Sequence, residues 1–249
     1  MHHVCAYYES KDPAGAWFLA NAVPEQTLWA VGDDIRVPEL LPNIIGQLAL
    51  INDAGGERAQ IQSPSLRMLA NLDVEPIVLA AVLGSPPEVL FHPENPIPIT
   101  VSEALNFSFQ STPTGAQAHY GIVWLSDGVQ APITGHIFTL RATATVQQTV
   151  DTWTNGNLVY DQTIPAGKYQ VVGMRIRSTD LVVGRLVFPE QIPRPGVPAV
   201  NAIADLDART FRYGRSGIWG EFPHDVPPTL DVLGGTAAAQ TVFLDLIRV

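Results

Sequence analysis

The chain has 249 residues, of which 46% are hydrophobic and only 15% are charged, a composition typical of packed sheets and unlike that of disordered or heavily solvated helical proteins. Its formal charge of −10 and isoelectric point near 4.9 argue against direct nucleic-acid binding, which depends on Lys and Arg at phosphates. Cys5 is the single cysteine, so no intrachain disulfide can form. The lack of a disulfide fits assembly in a reducing cytosol. With neither a signal-peptide pattern nor an apolar stretch of ~20 residues, we expect a protein that is soluble or at most touches a membrane surface.

The first half of the sequence reads as an arm followed by short strands. Residues 1–27 predict an N-terminal arm, in which Ala14 to Val23 could form a short apolar helix. Apolar patterns bounded by turn residues then predict strands near 28–36, 43–52, 57–62, 75–83, 87–92, 97–101, 104–111 and 117–125. Between them, 63–72 is the one helix candidate, with a serine as its N-cap.

The second half, which begins after the turn at 126–132, is also predicted to consist of short strands separated by turns. Residues 135–150 alternate and are rich in β-branched side chains, as in a half-buried strand. Asn155-Gly156 is a strong signal for a type I′ hairpin turn. Further strands are predicted near 169–178, 181–188, 209–213, 229–233 and 240–248, with a proline-rich crossing over 189–200.

The chain also repeats itself. Shifting "VPELLPNIIGQLALINDAGGERAQI" by 127 positions onto "IPAGKYQVVGMRIRSTDLVVGRLVF" aligns Pro38 with Pro165, Gly46 with Gly173, Asp53 with Asp180 and Arg58 with Arg185. The ends of the halves align at an offset of 123, with Gln117 on Gln240 and Tyr120 on Phe243. We therefore predict duplication of one β-sandwich.

These patterns together predict an all-β fold of two tandem, eight-stranded antiparallel jelly-roll sandwiches. The predicted domains are the arm at 1–27, a first jelly roll at 28–128 and a second at 129–249. Eight short antiparallel strands with irregular connections suit a sandwich, and the jelly roll is its eight-stranded form.

The sequence offers little catalytic or metal-binding chemistry. It contains no H-x-H, H-E-x-x-H, C-x-x-C or G-x-S-x-G motif, and "PAGKY" lacks the rest of a phosphate loop. Asp205 and Asp207 are spaced as Ca²⁺ ligands are, but solvated loop acids are the simpler interpretation. We expect no enzymatic activity, no metal and no cofactor, although a buried carboxylate pair between two domains would escape detection by sequence.

Tryptophans supply the main alternative. Trp124 has apolar neighbours and is predicted to lie in the core, whereas Trp153 and Trp219 lie in turn-like segments and could stack on sugars. A carbohydrate-binding or lectin-like double β-sandwich is therefore the alternative function.

A family resemblance favours a structural function. The two predicted sandwiches, the acidic chain without disulfides, and the runs "RAQIQSPSLRMLANLDVEPI", "RPGVPAV" and "FRYGRSGIWGEFP" resemble the double jelly-roll major capsid proteins of tailless, membrane-containing icosahedral bacteriophages. The resemblance covers about Leu28 to Val249, and the chain is short for the family, with little room for tower loops.

The resemblance implies a viral structural protein. Trimers of pseudo-hexagonal outline would tile an icosahedral shell, contact other capsid proteins such as a vertex protein, and face an internal membrane or the genome with their base. The protein would be made in the host cytoplasm and reside in the virion.

For contacts between subunits, the Pro- and Gly-rich loops of the second half offer Arg194, Arg212, Arg215 and Trp219, since Arg and Trp are favoured at interface centres. The competing interpretation is that these side chains hold their own loops. On the interface hypothesis, Trp219→Ala weakens assembly more than it lowers the stability of the subunit.

Overall fold

A computed structural model describes residues 1–12, 14–25, 29–51, 58–66, 72–74, 76–78, 90–112, 115–130, 132–200 and 211–249. Within these ranges the chain is all-β, as predicted, and its strands form two curled, mainly antiparallel sheets. No helix in the described part of the chain has the length and hydropathy needed to cross a membrane.

Contacts divide the chain into two compact units, each built on one of these sheets. The N-terminal unit contains the described residues between Cys5 and Gly128, and the C-terminal unit contains Met1–Val4 and the described residues from Val129 to Val249. The first four residues therefore belong with the second half of the sequence.

The first sheet contains twelve described strands. They are β1 (His2–Lys11), β2 (Phe18–Ala22), β3 (Ala30–Val31), β4 (Asp34–Arg36), β5 (Asn43–Ile51), β6 (Arg58–Gln62), β7 (Leu72–Val74), β8 (Pro76–Val78), β9 (Leu90–Phe91), β10 (Ile97–Pro98), β11 (Ala104–Gln110) and β12 (Gln117–Ser126). Neighbouring strands run β10-β5-β12-β1, and β2-β11-β6-β7, with β1 also paired to β2. Alternating apolar residues of these strands, among them Phe107, Phe109 and Ile61, fill the core of the unit.

The second sheet contains nine described strands. They are β13 (Ile137–Thr145), β14 (Thr154–Gly156), β15 (Val159–Tyr160), β16 (Lys168–Arg177), β17 (Leu181–Val187), β18 (Gly196–Val200), β19 (Gly220–Pro223), β20 (Thr229–Gly234) and β21 (Ala239–Arg248). Neighbouring strands run β13-β21-β16-β19 and β14-β20-β17-β18. Leu230, Val232 and Leu244 are among its fully buried side chains.

The repeated sequence occupies equivalent places in the two sheets. β5 pairs with β12 and β16 pairs with β21, and each pairing is interrupted by a one-residue irregularity directly before the repeated glycine, at Ile45 and at Val172. A parallel partner also recurs, because Ala49 pairs with Pro76 of β8 and Ile176, 127 positions later, pairs with Ala199 of β18. The repeat therefore encodes the same bulged strand with the same kinds of neighbours.

The register corrects one sequence alignment. Trp124 lies opposite Gly46, and Asp245 lies opposite Gly173, so β12 corresponds to β21 at an offset of 121 and not of 123. A slip of two residues leaves the alternation of apolar and polar side chains intact. Pattern matching alone therefore could not detect it.

Residues 1–27, predicted to form an arm, instead contribute β1 and β2. The segment Ala14 to Val23, predicted to include a short helix, contains the strand Phe18–Ala22, whose side chains alternate between buried and exposed. This alternation is a strand period, which the apolar content of the segment concealed.

Two further local predictions differ from the structure. Asn155-Gly156 is not the turn of a β14–β15 hairpin, because β14 pairs with β20 and β15 pairs with β13. The side chain of Asn155 donates to Asp231 at 2.8 Å, a tertiary contact that outweighs the local turn preference. The proline-rich crossing contains β18, since its prolines leave the pairing with β16 and β17 possible.

The helix predicted at 63–72 is not tested over its centre, since 67–71 lie outside the described residues. At its ends, Ser63–Leu66 form a turn and Leu72 begins β7. Asp53 of the repeat and the pair Asp205 and Asp207 also lie outside the described residues.

Candidate interaction surface

A serine–histidine pair in the N-terminal unit resembles a nucleophile with its base. Ser111 Oγ lies 3.2 Å from His119 Nε2, and His119 Nδ1 lies 2.9 Å from the carbonyl of Gln117. Both side chains are almost completely buried, and His119 packs between the rings of Phe18 and Phe109. A substrate cannot reach this pair, which therefore has a structural role in the core.

The structure separates the four predicted interface residues into two groups. Arg194 and Trp219 are buried within the C-terminal unit, whereas Arg212 and Arg215 belong to a surface loop. Trp219 is fully buried, so its side chain does not reach a surface where a second chain could bind. Trp124 is also fully buried, which confirms its predicted place in a core.

Buried charges surround Arg194. Asp231, which is 3% exposed, accepts hydrogen bonds from Arg194 Nη1 at 2.9 Å and from Arg185 Nε at 3.1 Å. The guanidinium of Arg185 also lies 3.8 Å from the ring centroid of Trp153. Arg194 is therefore held in an internal ion-pair cluster.

The same cluster binds the first four residues of the chain. Arg185 Nη1 donates to the carbonyl of Val4 at 2.9 Å, and the backbone N–H of Arg194 donates to His3 Nδ1 at 2.9 Å. The ring of His2 meets the ring of Trp219 edge to face, with centroids 4.7 Å apart. These contacts, whose two hydrogen bonds span 181 and 191 residues, explain why Met1–Val4 belong to the C-terminal unit.

The buried position of His2 predicts acid sensitivity. Burial lowers the pKa of His2 from 6.5 to about 3, so the folded state holds the neutral ring. Below pH 6.5 the unfolded chain protonates this ring whereas the folded chain does not. The free energy of unfolding therefore falls as the pH falls from 6.5 toward 3, by about 2 kcal/mol at pH 5. Urea unfolding at pH 7 and pH 5 measures this loss. In the variant His2→Gln, the unfolding free energies at the two pH values should differ less than in the wild-type protein. An equal pH dependence of both proteins would contradict the assignment.

The loop that carries Arg212 and Arg215 rests on the bulge of β16. The N–H of Gly214 donates to the carbonyl of Val172 at 2.7 Å, and the N–H of Trp219 donates to the carbonyl of Val171 at 2.8 Å. A Cβ on Gly173 would approach the carbonyl oxygen of Phe211 to 2.9 Å. Glycine is therefore required where the loop crosses the strand.

The N-terminal unit uses its own bulge in the same way. The N–H of His92 donates to the carbonyl of Ile45 at 2.7 Å, and a Cβ on Gly46 would approach the carbonyl oxygen of Leu90 to 3.2 Å. The repeated glycine is thus explained by a shared need for close approach between a crossing segment and the sheet.

Arg212 fixes the surface loop of the C-terminal unit. It binds the buried carboxylate of Asp245 through Nε at 2.6 Å and Nη2 at 2.8 Å. Hydrogen bonds from Arg212, the Tyr213 N–H and Thr139 outweigh the effect of burial and hold the pKa of Asp245 below its usual range. The Arg212–Asp245 ion pair holds the loop that contains two exposed residues, Arg215 and Tyr213. Tyr213 is 59% exposed and has a positive φ of 53°.

Further arginines line the sheet beside this loop. Phe243 of β21 lies between Arg141 of β13 and Arg175 of β16 in the register of the sheet, and the guanidinium of Arg175 is 5.9 Å from its ring centroid. In the next row of the same face, Arg177 lies opposite Thr241. We call Arg141, Arg175, Arg177, Arg212 and Phe243 the arginine face.

Two arginines of this face are held in ion pairs. Asp161 pairs with Arg141 and Asp245 pairs with Arg212, while Arg175 and Arg177 are half-buried on β16. Sequence analysis did not single out Arg175 and Arg177. Their alternation with Met174 and Ile176 was the available signal, since residues two apart on a strand share a face.

The C-terminal unit also has a surface pocket of about 380 Å³, lined by Gly167, Lys168, Pro189, Glu190, Glu221, Pro223 and Val226. Lys168 Nζ pairs with Glu221 at 2.5 Å, and hydrogen bonds from Lys168 and Gln170 lower the pKa of Glu221. The described lining contains no aromatic ring on which a sugar could stack.

No protein-family model, curated protein or solved structure matches the chain.

Proposed function

We propose that the protein is a major capsid protein whose two units are eight-stranded jelly rolls, and that its trimers tile an icosahedral viral shell. The strand order supports the jelly-roll part of this proposal. Eight strands of each unit are numbered 1 to 8 in chain order for this comparison: β1, β2, β5, β6, β7, β10, β11 and β12 in the first unit, and β13, β14 and β16 to β21 in the second. In both units, neighbouring strands then run 1-8-3-6 in one set and 2-7-4-5 in the other. An order of this kind is expected for two interlocked Greek keys, which build the jelly rolls of capsid proteins, and it therefore supports the proposal.

The observation that carries the proposal is the recurrence of this order in both units of one chain. β1, β12, β5 and β10 correspond to β13, β21, β16 and β19, and the two central strands share the bulge before Gly46 and Gly173. Two similar sandwiches in each subunit give a trimer six similar sandwiches, and an object with a six-part outline can be surrounded by six neighbours on a flat facet. The duplication thus suits a subunit that tiles a surface.

The chemistry of the described residues suits a structural role. The Ser111–His119 pair is closed to substrates, and one face of the second sheet carries several arginines beside the loop that Arg212 holds. Arginine and aromatic side chains are the types that dominate the centres of protein interfaces. The net charge of −10 favours protein or lipid neighbours over naked nucleic acid beneath the shell.

Light scattering of the purified protein, with negative-stain images of the same peak, tests the proposal. We expect a trimer near three times 26.9 kDa with a hexagonal outline. The measurement should span a wide range of protein concentrations, since assembly depends on mass action. It should also include low salt, because salt screens attraction between charged surfaces. A monomer under every condition would contradict the proposed function.

A further inference from the structure

We propose that one face of the N-terminal unit binds a neutral oligosaccharide. The face lies on the outer side of β2, β11, β6 and β7, and we call its central residues the tryptophan face: Trp17, Leu19, Arg58, Gln60, Asp73 and Gln110. The inference goes beyond the proposed function and does not depend on it.

The register of the strands places one row of these side chains together. Ser108 of β11 pairs with Leu19 of β2 on one side and with Gln60 of β6 on the other. Gln60 in turn pairs with Asp73 of β7. Since side chains alternate along a strand, this row lies on the side of the sheet opposite the core that Phe109 helps to fill.

Trp17 lies in the next row of the same face. It directly precedes β2, and its ring centroid is 5.4 Å from the guanidinium of Arg58, which pairs with Gln110 of β11. Trp17 is 39% exposed, more than any other tryptophan of the chain. Its contact with Arg58 is looser than that of Arg185 with Trp153, where the distance is 3.8 Å. The indole ring of Trp17 is therefore accessible to a ligand.

The tryptophan face combines the two kinds of group that bind sugars. The exposed side chains of Trp17 and Leu19 supply apolar surface for the C–H groups of a pyranose ring. The amide of Gln60, the carboxylate of Asp73 and the guanidinium of Arg58 supply hydrogen-bond donors and acceptors for its hydroxyl groups. A flat sheet presents these groups side by side, which suits an extended oligosaccharide.

Hydrogen bonds fix the amide groups of this face in the absence of a ligand. Gln110 Nε2 donates to the carbonyl of Gly15 at 2.8 Å, and Gln62 Nε2 donates to Ser108 Oγ at 3.1 Å. Because each bond uses an NH₂ group, the amide oxygens remain acceptors for hydroxyl groups. A site that is ordered before binding loses less entropy when the ligand arrives.

The charges favour a ligand without charged groups. Arg58 and Asp73 lie 4.0 Å apart and balance each other, and their side chains are 57% and 68% exposed. Residues 1–128 contain fourteen Asp or Glu and only four Lys or Arg, so this half of the chain repels sulfate, phosphate and carboxylate groups. Nucleic acid is disfavoured for the same reason.

A printed array of neutral, sialylated and sulfated oligosaccharides tests the inference, and isothermal titration calorimetry then measures the dissociation constant of the neutral oligosaccharide that binds best. In Trp17→Ala, we expect this constant to rise by about tenfold or more, as for the loss of a stacked ring. Tyr213→Ala is the matched control, because it removes a ring that is 59% exposed on the C-terminal unit and should leave the constant unchanged. Thermal unfolding verifies that both variants fold.

Chemical modification locates the ligand on the wild-type protein. N-bromosuccinimide oxidises accessible indole rings, and mass spectrometry of the digested protein reports the oxidation of each tryptophan. We expect the bound oligosaccharide to protect Trp17 from oxidation. Oxidation of Trp17 at the same rate with and without a bound oligosaccharide would place the ligand elsewhere and refute the proposed site.

The remaining outcomes are equally decisive. The inference is overturned if the wild-type protein binds no neutral oligosaccharide on the array, binds only sialylated or sulfated ones, or has the same dissociation constant as Trp17→Ala. If Trp17→Ala instead weakens the trimer and no oligosaccharide binds, the face is a contact between copies and the inference also fails. None of these results decides the proposed function, which the light scattering of the wild-type protein tests separately.

Discussion

Replacing Asp231 by asparagine will lower the unfolding free energy of the C-terminal unit by about 3–5 kcal/mol, the usual effect of removing one partner from a buried ion pair. The substitution leaves Arg185 and Arg194, which are 0% and 7% exposed, without the carboxylate between them. Both guanidinium groups are too deeply buried for water to replace that charge fully. Urea unfolding gives the free energy, and hydrogen exchange in β17 and β20 assigns the loss to this unit.

Asp161→Asn is the matched control in the same unit. Asp161 also pairs with an arginine, Arg141, but the two side chains are 39% and 49% exposed. An exposed pair of this kind is worth at most about 1 kcal/mol. Equal losses for Asp161→Asn and Asp231→Asn would contradict the claim that burial makes the Asp231 cluster important.

Trp219→Ala should produce the second large effect, a loss of about 3–5 kcal/mol from the C-terminal unit, as expected for deletion of a buried aromatic ring. Trp219 is fully buried, packs against the ring of His2 and donates its indole N–H to Ser216 Oγ at 2.8 Å. The variant also removes the surface on which the first residues of the chain rest. We therefore expect faster hydrogen exchange at His2–Val4 along with lower stability.

The control for Trp219→Ala is Trp17→Ala, since Trp17 is 39% exposed and should cost much less. The interface hypothesis for Trp219 predicts a different outcome, in which assembly weakens while the subunit keeps its stability. Measuring the unfolding free energy and the trimer dissociation constant of the same variant separates the two. A stable Trp219→Ala subunit that fails to assemble would support the interface hypothesis and contradict the expected loss of stability.

The sequence by itself determined the fold class and the internal correspondence of the two halves. Alternating apolar residues and turn residues specify strands locally, so an all-β chain was predictable. The repeat around Gly46 and Gly173 was also visible in the sequence. Close approach of the backbone requires glycine at one position of each half, so the same residue recurs there.

The tertiary structure alone decided which distant segments meet. A tryptophan in the Gly-rich run "YGRSGIWGEFP" suggests an exposed loop, yet the loop folds back on the bulge of β16 and buries Trp219. Likewise, no local pattern reveals that His3 and Val4 bind Arg194 and Arg185. Local sequence sets the conformation of each strand, whereas burial of a ring or a charge depends on partners far away along the chain, and those partners exist only after the strands have packed.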